Sequence, residues 1–483
     1  MDNEVPIVID LFSGAGGLSL GFSAAGCLIR AAVDIDIAAG NTFRKNFSLL
    51  QPEAPPEVIS GADADMERLD LARIPGDRNP DILIGGPPCQ AFSRIGRGKL
   101  DSLSDEGFIG DPRNKLYKRF IEAVGLWRPK AVVMENVTGM LSVAGTNYAS
   151  IVTKELADLG YRSGYAVLNA VWYGVPQYRE RLFFIAIRAD LQGSPEAPPT
   201  SHQADVPEGY FKPCRAIQQR LVYDDDEWDR LMGQLPLPSP RCQVPALTVE
   251  QAIGDLPRLT DHMDGLLLPK GDFRNSLPYV DGNANAFVHQ MRHWPRLTAP
   301  STVDDHVTRR TRRDYNLFRR MKPGDRYPDA LKLAAEHEEK LFEARLLQLA
   351  DEGQSPEEGS RDWKRLKAQF VPPYDRKNFL DKWRKLYPDQ SSWTVPAHLG
   401  KDSYSHIHYD GDQARMITPR EAARLQSFPD GFEFSGSMGD CFRQIGNAVP
   451  PLMAWAISAS LLQTLGYSPR TSECLVGGRA CRR

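Results

Sequence analysis

Asp81-Ile82-Leu83-Ile84-Gly85-Gly86-Pro87-Pro88-Cys89-Gln90-Ala91-Phe92-Ser93 is the stretch that decides how this chain is read. The apolar run Asp81–Ile84 has the composition of a strand buried on both faces. Two glycines and two prolines follow, and such a sequence neither continues a strand nor starts an ordinary helix. It predicts a stiff loop just past a strand's carboxyl end, the edge where open α/β sheets bind ligands. A thiol displayed there, Cys89, is a candidate nucleophile. Taken alone, a single cysteine reads as a small buried apolar residue. Its surroundings in the chain turn the reading toward chemistry.

Working outward, residues 7–190 alternate between β and α patterns. Strands are predicted at Ile7–Phe12, Arg30–Asp34, Asp81–Ile84, Ala131–Glu135, Tyr165–Asn169 and Leu182–Ile187, and helices at Leu116–Trp127 and Tyr148–Leu159. That alternation predicts a doubly wound, mostly parallel sheet. The Gly/Ser/Pro-rich stretch Gly193–Thr200 marks a boundary. Residues 201–410 are Pro-rich and uneven in charge. They hold an acidic run (Asp224–Glu227), a basic run (Arg309, Arg310, Arg312, Arg313, Arg319, Arg320) and one long helical segment, Ala330–Ala350. Regular patterning returns at Arg415 and ends in an apolar helix at about Leu452–Leu465, before a loose tail.

Composition narrows the class. The 483 residues suffice for two or three domains. Net charge is −3, so a nucleic-acid surface has to be a local patch. The seven cysteines include no Cys-x-x-Cys pair, which suggests neither a zinc site nor a disulfide framework. Reduced thiols and a cytoplasmic setting are expected. No apolar run approaches the ~18 residues of a membrane span. The acidic start, Met1–Glu4, lacks a signal-peptide pattern, and no N-terminal regulatory domain is expected.

Three further constellations share the sheet edge. Val8-Ile9-Asp10-Leu11-Phe12 runs into Ser13-Gly14-Ala15-Gly16-Gly17-Leu18, a strand, a glycine turn and a helix start. Gly14 and Gly16 allow close backbone approach to a ligand. Ser19 occupies the third glycine position of the dinucleotide fingerprint, which therefore fails. Asp34 and Asp36 end the next strand, where an acid either bonds ribose hydroxyls or caps a helix. The pair suggests an adenosine-bearing cofactor, a nicotinamide or S-adenosylmethionine. Val132–Val137 is another apolar strand ending in a carboxylate, Glu135, on the same edge as Cys89. Such a carboxyl tends to hold its proton, unless it caps a helix or pairs with an arginine. In Pro176–Arg181, alternation puts Gln177, Arg179 and Arg181 on one face, where the guanidiniums suit a phosphate or a carboxylate.

These residues carry a resemblance. In order, Asp10–Gly17, Gly86–Ser93, Glu135-Asn136-Val137, Gln177–Arg181, Arg415–Pro429 and Gln444–Pro451 resemble the motifs of bacterial-type DNA cytosine-5 methyltransferases over roughly 1–190 and 393–466. The resemblance implies a Rossmann-like class I S-adenosylmethionine-dependent methyltransferase sheet with a second, irregular DNA-recognition domain. It implies a catalytic and cofactor domain at 1–195 completed by 436–470, target recognition at 196–410, a hinge and return segment at 411–435, and the tail at 471–483. Cys89 would add to carbon 6 of a flipped-out cytosine and Glu135 would act at ring N3. Arg181 would support Glu135 and the base, and Arg179 a phosphate or the loop after Cys89. S-adenosylmethionine would meet Phe12, Gly14, Gly16, Asp34, Ile35, Pro88, Leu116, Asn447, Val449 and Asp65, with Asp63 competing for the last role. Gln90, Ser93, Gln177, Arg309, Arg310, Arg312 and Arg313 would face double-stranded DNA. Ile95–Gly110 would form a mobile lid.

No metal is implied. The mixed basic and aromatic residues between Trp363 and Lys385 suit phosphate tracking or a solvated helix face. His406-Ile407-His408 is expected in a DNA-facing sheet. A monomer is expected, with any restriction endonuclease acting as a separate protein. Methylation of cytosine in tRNA, or a catalytically inactive DNA-binding relative, are the alternatives.

Overall fold

The computed structural model describes residues 5–88, 116–141, 147–204, 234–235, 240–263, 276–280, 285–372, 383–401 and 404–470. The first part alternates as β1 (Ile7–Leu11), α1 (Gly17–Ala25), β2 (Leu28–Asp34), α2 (Ile37–Leu50), β3 (Glu57–Ser60), β4 (Ile82–Gly85), α3 (Leu116–Trp127), β5 (Ala131–Asn136), α4 (Tyr148–Asp158), β6 (Tyr161–Asn169) and β7 (Glu180–Arg188). These strands form one sheet in the order β3-β2-β1-β4-β5-β7-β6. From β3 to β5 every neighbouring pair is parallel. β7 runs antiparallel to both β5 and β6. Only Ala170–Arg179 separates β6 from β7, too short a stretch for the helical crossover that a parallel return requires.

The central strands are apolar runs because helices cover both faces. Alternation sends Val8, Ile82, Ile84 and Val133 into the layer of α1 and α2, with Phe22, Phe43 and Phe47. Ile9, Leu11, Leu83, Val132 and Met134 point into the other layer, against Phe120, Trp127, Val152 and Leu156 of α3 and α4. The sequence pattern does not reveal β3. It is an edge strand with no fully buried residue and therefore carries no apolar run.

Beyond the sheet lie short helices: α5 (Val249–Ile253), α6 (Ala286–His293), α7 (Tyr315–Arg320), α8 (Tyr327–Glu336), α9 (Glu338–Asp351), α10 (Arg361–Lys367), α11 (Pro419–Leu425), α12 (Met438–Asn447) and α13 (Pro451–Thr464). The expected single helix Ala330–Ala350 is two helices. The chain leaves the helical region at His337, and Arg320 reaches the Leu333 carbonyl and the Glu336 carboxylate just before the break. The basic and aromatic stretch also differs from a phosphate track. Trp383 is fully buried against Phe318, Tyr327 and Tyr404. Lys385 is buried and caps α7 by donating to the carbonyls of Phe318 and Met321. His406 and His408 are core residues rather than DNA-facing ones. The first lies against the Trp393 carbonyl and the second beside Glu421.

The expected hinge segment packs tightly: all seven residues of α11 are buried. Thr418-Pro419-Arg420-Glu421 supplies a capping box with proline in the first turn, which sets the start of α11. Three buried arginines then fasten it. Arg415 makes a two-pronged pair with Glu421. Arg420 donates to the carbonyls of Asp304, Pro429 and Phe432. Arg424 lies between Asp255 and Asp430 and also reaches the Ala252 carbonyl, while Asp255 takes Arg292 as well. Met438–Thr464 is a helical run long and apolar enough to cross a membrane, the one such run among the described residues. Most of it is buried in this protein, where α13 packs on α1 so closely that a methyl group on Gly21 would meet Ala454 at 2.4 Å.

Removing one member of a buried ion cluster strands the other charges. Arg424→Ala is therefore expected to lower stability by about 3–5 kcal/mol, read from urea unfolding followed by tryptophan fluorescence. A loss under about 1 kcal/mol would show that the cluster is replaceable by water.

Candidate active site

The sheet's carboxyl edge collects the chemistry. At the end of β1 the chain turns sharply: Phe12 sits at φ 61° and Gly16 at φ 92°. Gly16 has no substitute, because a methyl group there would lie 2.7 Å from the stacked rings of Phe43 and Phe47. Asp34, at the end of β2, accepts the Gly14 amide at 2.7 Å and the Asp36 amide at 2.8 Å. An ionised carboxylate has about four acceptor positions, so two remain for hydroxyl groups. Burial holds the Asp34 carboxyl above its ordinary value. Next to it Ile35 is 66% exposed, an apolar side chain standing free at the sheet edge. Asp36 caps α2 through the Ala39 amide, so the second acid of the pair is the helix cap.

The other expected cofactor positions fall around this edge. Val449 is buried, and its carbonyl lies where a methyl group on Gly17 would collide. Asn447 is exposed at the end of α12, and Leu116 is half-buried at the start of α3. Asp65 follows β3 and pairs with Arg68, while Asp63 lies exposed just before it. Pro88 is exposed and is the last described residue of its loop. Cys89, Gln90, Ser93 and the expected lid Ile95–Gly110 lie outside the described residues.

Glu135 stands at the end of β5, 13% exposed. Its Oε1 takes Arg181 Nε at 2.8 Å. A methyl group on Gly86 would be 3.2 Å from its Oε2, so the second oxygen lies against the loop that leads to Cys89. Asn136 braces the same loop by donating to the Pro87 carbonyl at 3.2 Å. This brace was not singled out from sequence, although an amide directly after the strand-end acid in Glu135-Asn136-Val137 is its signal. Burial raises the Glu135 carboxyl above its ordinary value, against the opposing charges of Arg181 and then Arg179.

Gln177 and Arg179 do other work than expected. Both are buried. Gln177 bonds the Leu425 carbonyl and the Val395 amide. Arg179 donates to the carbonyls of Val395 (3.2 Å) and Gly446 (2.7 Å). Neither geometry is that of a DNA or phosphate contact, because the polar atoms are turned onto other chain segments. The arginine run is similarly absorbed. Arg309 holds the carbonyls of Leu399 and Lys401, and Arg313 pairs with Asp314 and the Ala368 carbonyl. Arg310 is exposed, and the Arg312 side chain is outside the described set.

This sheet order, with one antiparallel strand, is that of the Rossmann-like class I methyltransferase fold. The structure of a prophage-encoded E. coli protein agrees at a TM-score of 0.57 with 23% identity, covering 95% of this chain and 99% of that one, which speaks for the fold. The family model "C-5 cytosine-specific DNA methylase" matches residues 7–463, and the chain belongs to that family of DNA cytosine-5 methyltransferases. M.OihORF3336P of Oceanobacillus iheyensis is 36% identical over 96% of this chain and 97% of its own length. The type II methyltransferase M.AgeI of Thalassovita gelatinovora is 32% identical over 94% and 98%.

Asp10 offers a test of the site's electrostatics. It is fully buried at the end of β1 and accepts the Ser19 hydroxyl. Burial pushes its carboxyl up to about 7, with the Ser19 bond opposing and Asp34 adding to the rise. The folded protein thus keeps a proton that the unfolded chain releases near 3.8. The stability tied to that proton is full below about pH 4 and is lost as pH rises through about 7. Asp10→Asn keeps an acceptor for Ser19 and removes the titration. The stability advantage of wild type over the variant should fall by on the order of 3–4 kcal/mol between pH 4 and 7 in urea unfolding. Parallel curves would refute the buried-proton assignment.

Proposed function

We propose that the chain methylates carbon 5 of cytosine in specific double-stranded DNA sequences by covalent catalysis, with Cys89 as nucleophile and S-adenosylmethionine as donor. The observation that carries this reading is the placement of Glu135: mostly buried, held by Arg181 and with one oxygen against Gly86, in the loop that runs toward Cys89. The Cys89 thiolate adds to carbon 6, and the ring's electrons move to carbon 5. Glu135, holding its proton, gives it to or shares it with ring N3, so that negative charge does not accumulate. Arg181 fixes the Glu135 carboxyl in the orientation that this requires. The bound donor supplies an electrophilic methyl group. After transfer, carbon 5 gives up its proton, the carbon–sulfur bond breaks, and the ring double bond returns. The base has to leave the duplex to be reached in this way.

The donor fits the edge. Asp34 has acceptor positions left for ribose hydroxyls, Ile35 offers an apolar face to an adenine, and the turn at Gly14 and Gly16 brings backbone close to the methionine portion. Pro88, Leu116, Asn447 and Val449 complete the wall, with Asp65 or Asp63 at the adenine amino group. Recognition of the DNA sequence is assigned to 196–410, and the sheet domain to 1–195 with 436–470. Phosphate contact is assigned to the arginine run, in which Arg310 is exposed while Arg309 and Arg313 also hold the chain's own groups. Cytoplasmic residence fits Cys27 and Cys441, both buried thiols outside any disulfide. A companion restriction endonuclease, where one exists, acts separately.

DNA carrying 5-fluorocytosine tests the chemistry, because fluorine does not leave as a proton does. Wild type with S-adenosylmethionine should form a denaturant-stable adduct mapping to Cys89, and Cys89→Ser should form none. An adduct at another residue removes Cys89 from the mechanism.

The donor assignment has its own measurement. Asp34→Ala should weaken S-adenosylmethionine binding by about 1–3 kcal/mol in calorimetry, the scale of lost bonds to a charged acceptor. Unchanged affinity would place the ribose elsewhere.

A further inference from the structure

Helix α12 and the segment before it run alongside α2, and contacts join them at three levels. Glu433 accepts from Lys45, and its backbone bonds Asn46 near the end of α2. Gln444 accepts the Thr42 hydroxyl at 2.6 Å in the middle. At the cofactor end, Arg443 donates through Nε (3.1 Å) and Nη2 (2.8 Å) to one oxygen of Asp36, and Nη2 also meets Asp440. The first ties the segment before α12 to α2, and the second packs helix on helix. The third lands on the turn that follows β2.

That turn is short and closely connected. The Asp36 side chain caps α2 with its other oxygen, and its backbone amide donates to Asp34. Asp34 in turn holds Gly14 of the first glycine turn. Ile35 and Ile37, both mostly exposed, flank Asp36, so little apolar packing holds the turn in place. The guanidinium of Arg443 is 40% exposed, yet it spans from the helix that ends at Asn447 to the turn that carries Asp34 and Ile35.

We propose that Arg443 is a positioning residue for the methyl donor, bracing the Asp34–Asp36 turn against α12 and so setting the width of the donor cleft. The proposal rests on the reading that this edge binds S-adenosylmethionine. Arg443 itself touches neither donor nor base. Its effect therefore falls on donor affinity and leaves the chemical step alone. A half-exposed pair in water is worth little as stability, but here its geometry is two-pronged and its partner is the cap of the turn.

The experiment uses the full-length enzyme with S-adenosylmethionine and S-adenosylhomocysteine in calorimetry, together with steady-state methylation of DNA. Arg443→Ala should raise the donor Kd and KM about three- to tenfold, while kcat at saturating donor stays within about twofold of wild type. Arg443→Lys, which keeps charge but loses the two-pronged contact, should fall between them. Asp36→Asn keeps an acceptor for the helix cap and should weaken donor binding by a similar factor. The double variant Asp36→Asn/Arg443→Ala should be no worse than either single one, because both remove the same contact.

Wild-type affinity in Arg443→Ala, a loss confined to kcat, or fully additive losses in the double variant would each overturn the proposal. Should Arg443→Ala lower the thermal midpoint, Asp36→Asn reads the same coupling at a half-buried carboxylate whose cap acceptor is kept. Failure of wild type or Asp34→Ala to behave as a donor site would instead defeat the assignment of the edge.

Discussion

A guanidinium buried at the carboxyl edge of the sheet holds the molecule closed. Arg179 lies between β6 and β7 and joins the carbonyls of Val395 and Gly446, more than 200 residues further along the chain. Beside it Gln177 bonds Leu425 and Val395, and Gln426 carries the connection to Ile445 and Ala448. Four segments meet there with their backbone groups satisfied by side-chain donors and, at the Val395 amide, by the Gln177 side-chain oxygen as acceptor, as buried polar groups require. The strand that supplies Arg181, the loop at Val395, α11 and the end of α12 are thereby one unit. A long stretch of chain between residues 190 and 390 is tolerated because the entropy of closing a loop grows only with the logarithm of its length. What matters is that the two ends are held, and Ser392–Trp393 pairs with Gln177–Tyr178 at that point.

Outside the sheet, arginines take the place that apolar side chains hold within it. Arg415, Arg420 and Arg424 are buried in succession along and just before α11; Arg415 clamps Glu421 within the segment, while Arg420 and Arg424 gather carbonyls or carboxylates from the 252–305 region. Buried ion pairs gain little over well-packed apolar residues, but they tolerate few alternative arrangements. A planar fork with five donors suits the irregular backbone of this region, where carbonyls point in many directions and no helix or sheet absorbs them. The arrangement makes the return segment rigid and carries the region beyond residue 196 as a fixed attachment to the sheet.

How much of this was legible in the sequence follows the same physics. The buried strands announced themselves because parallel strands are apolar throughout, and β1, β4, β5 and β7 lie where their runs are. Glu135 was placed on the sheet edge by its strand, its pairing with Arg181 came from the resemblance, and the two side chains do meet. The glycine turn and Asp34 were likewise placed by their strands. Edge strand β3 was hidden by its lack of core residues. The misread residues are polar groups with two possible audiences. Gln177, Arg179, Arg309 and Lys385 look the same in sequence whether they face a phosphate or a distant carbonyl, and only the folded chain brings up the carbonyl. Arg443 and Asp36 could not be paired from sequence, since 407 positions separate them.

The electrostatics of Glu135 shows why so much structure converges on one carboxyl. An acid that protonates a ring nitrogen near neutral pH has to hold its proton longer than an exposed glutamate does. Burial supplies that tendency, yet a buried carboxyl with no fixed partner would turn toward whatever donor it found. Arg181 fixes the orientation but, as a cation, pulls the acidity back toward the ordinary value, and the charge of Arg179 pulls the same way. Arg179 is partly withdrawn by its two carbonyl bonds, which turn its donors onto Val395 and Gly446. Burial is the larger influence on balance, and the carboxyl stays raised. The knot that closes the fold therefore also bears on the acid, because it commits one of the two nearby guanidiniums to the chain itself.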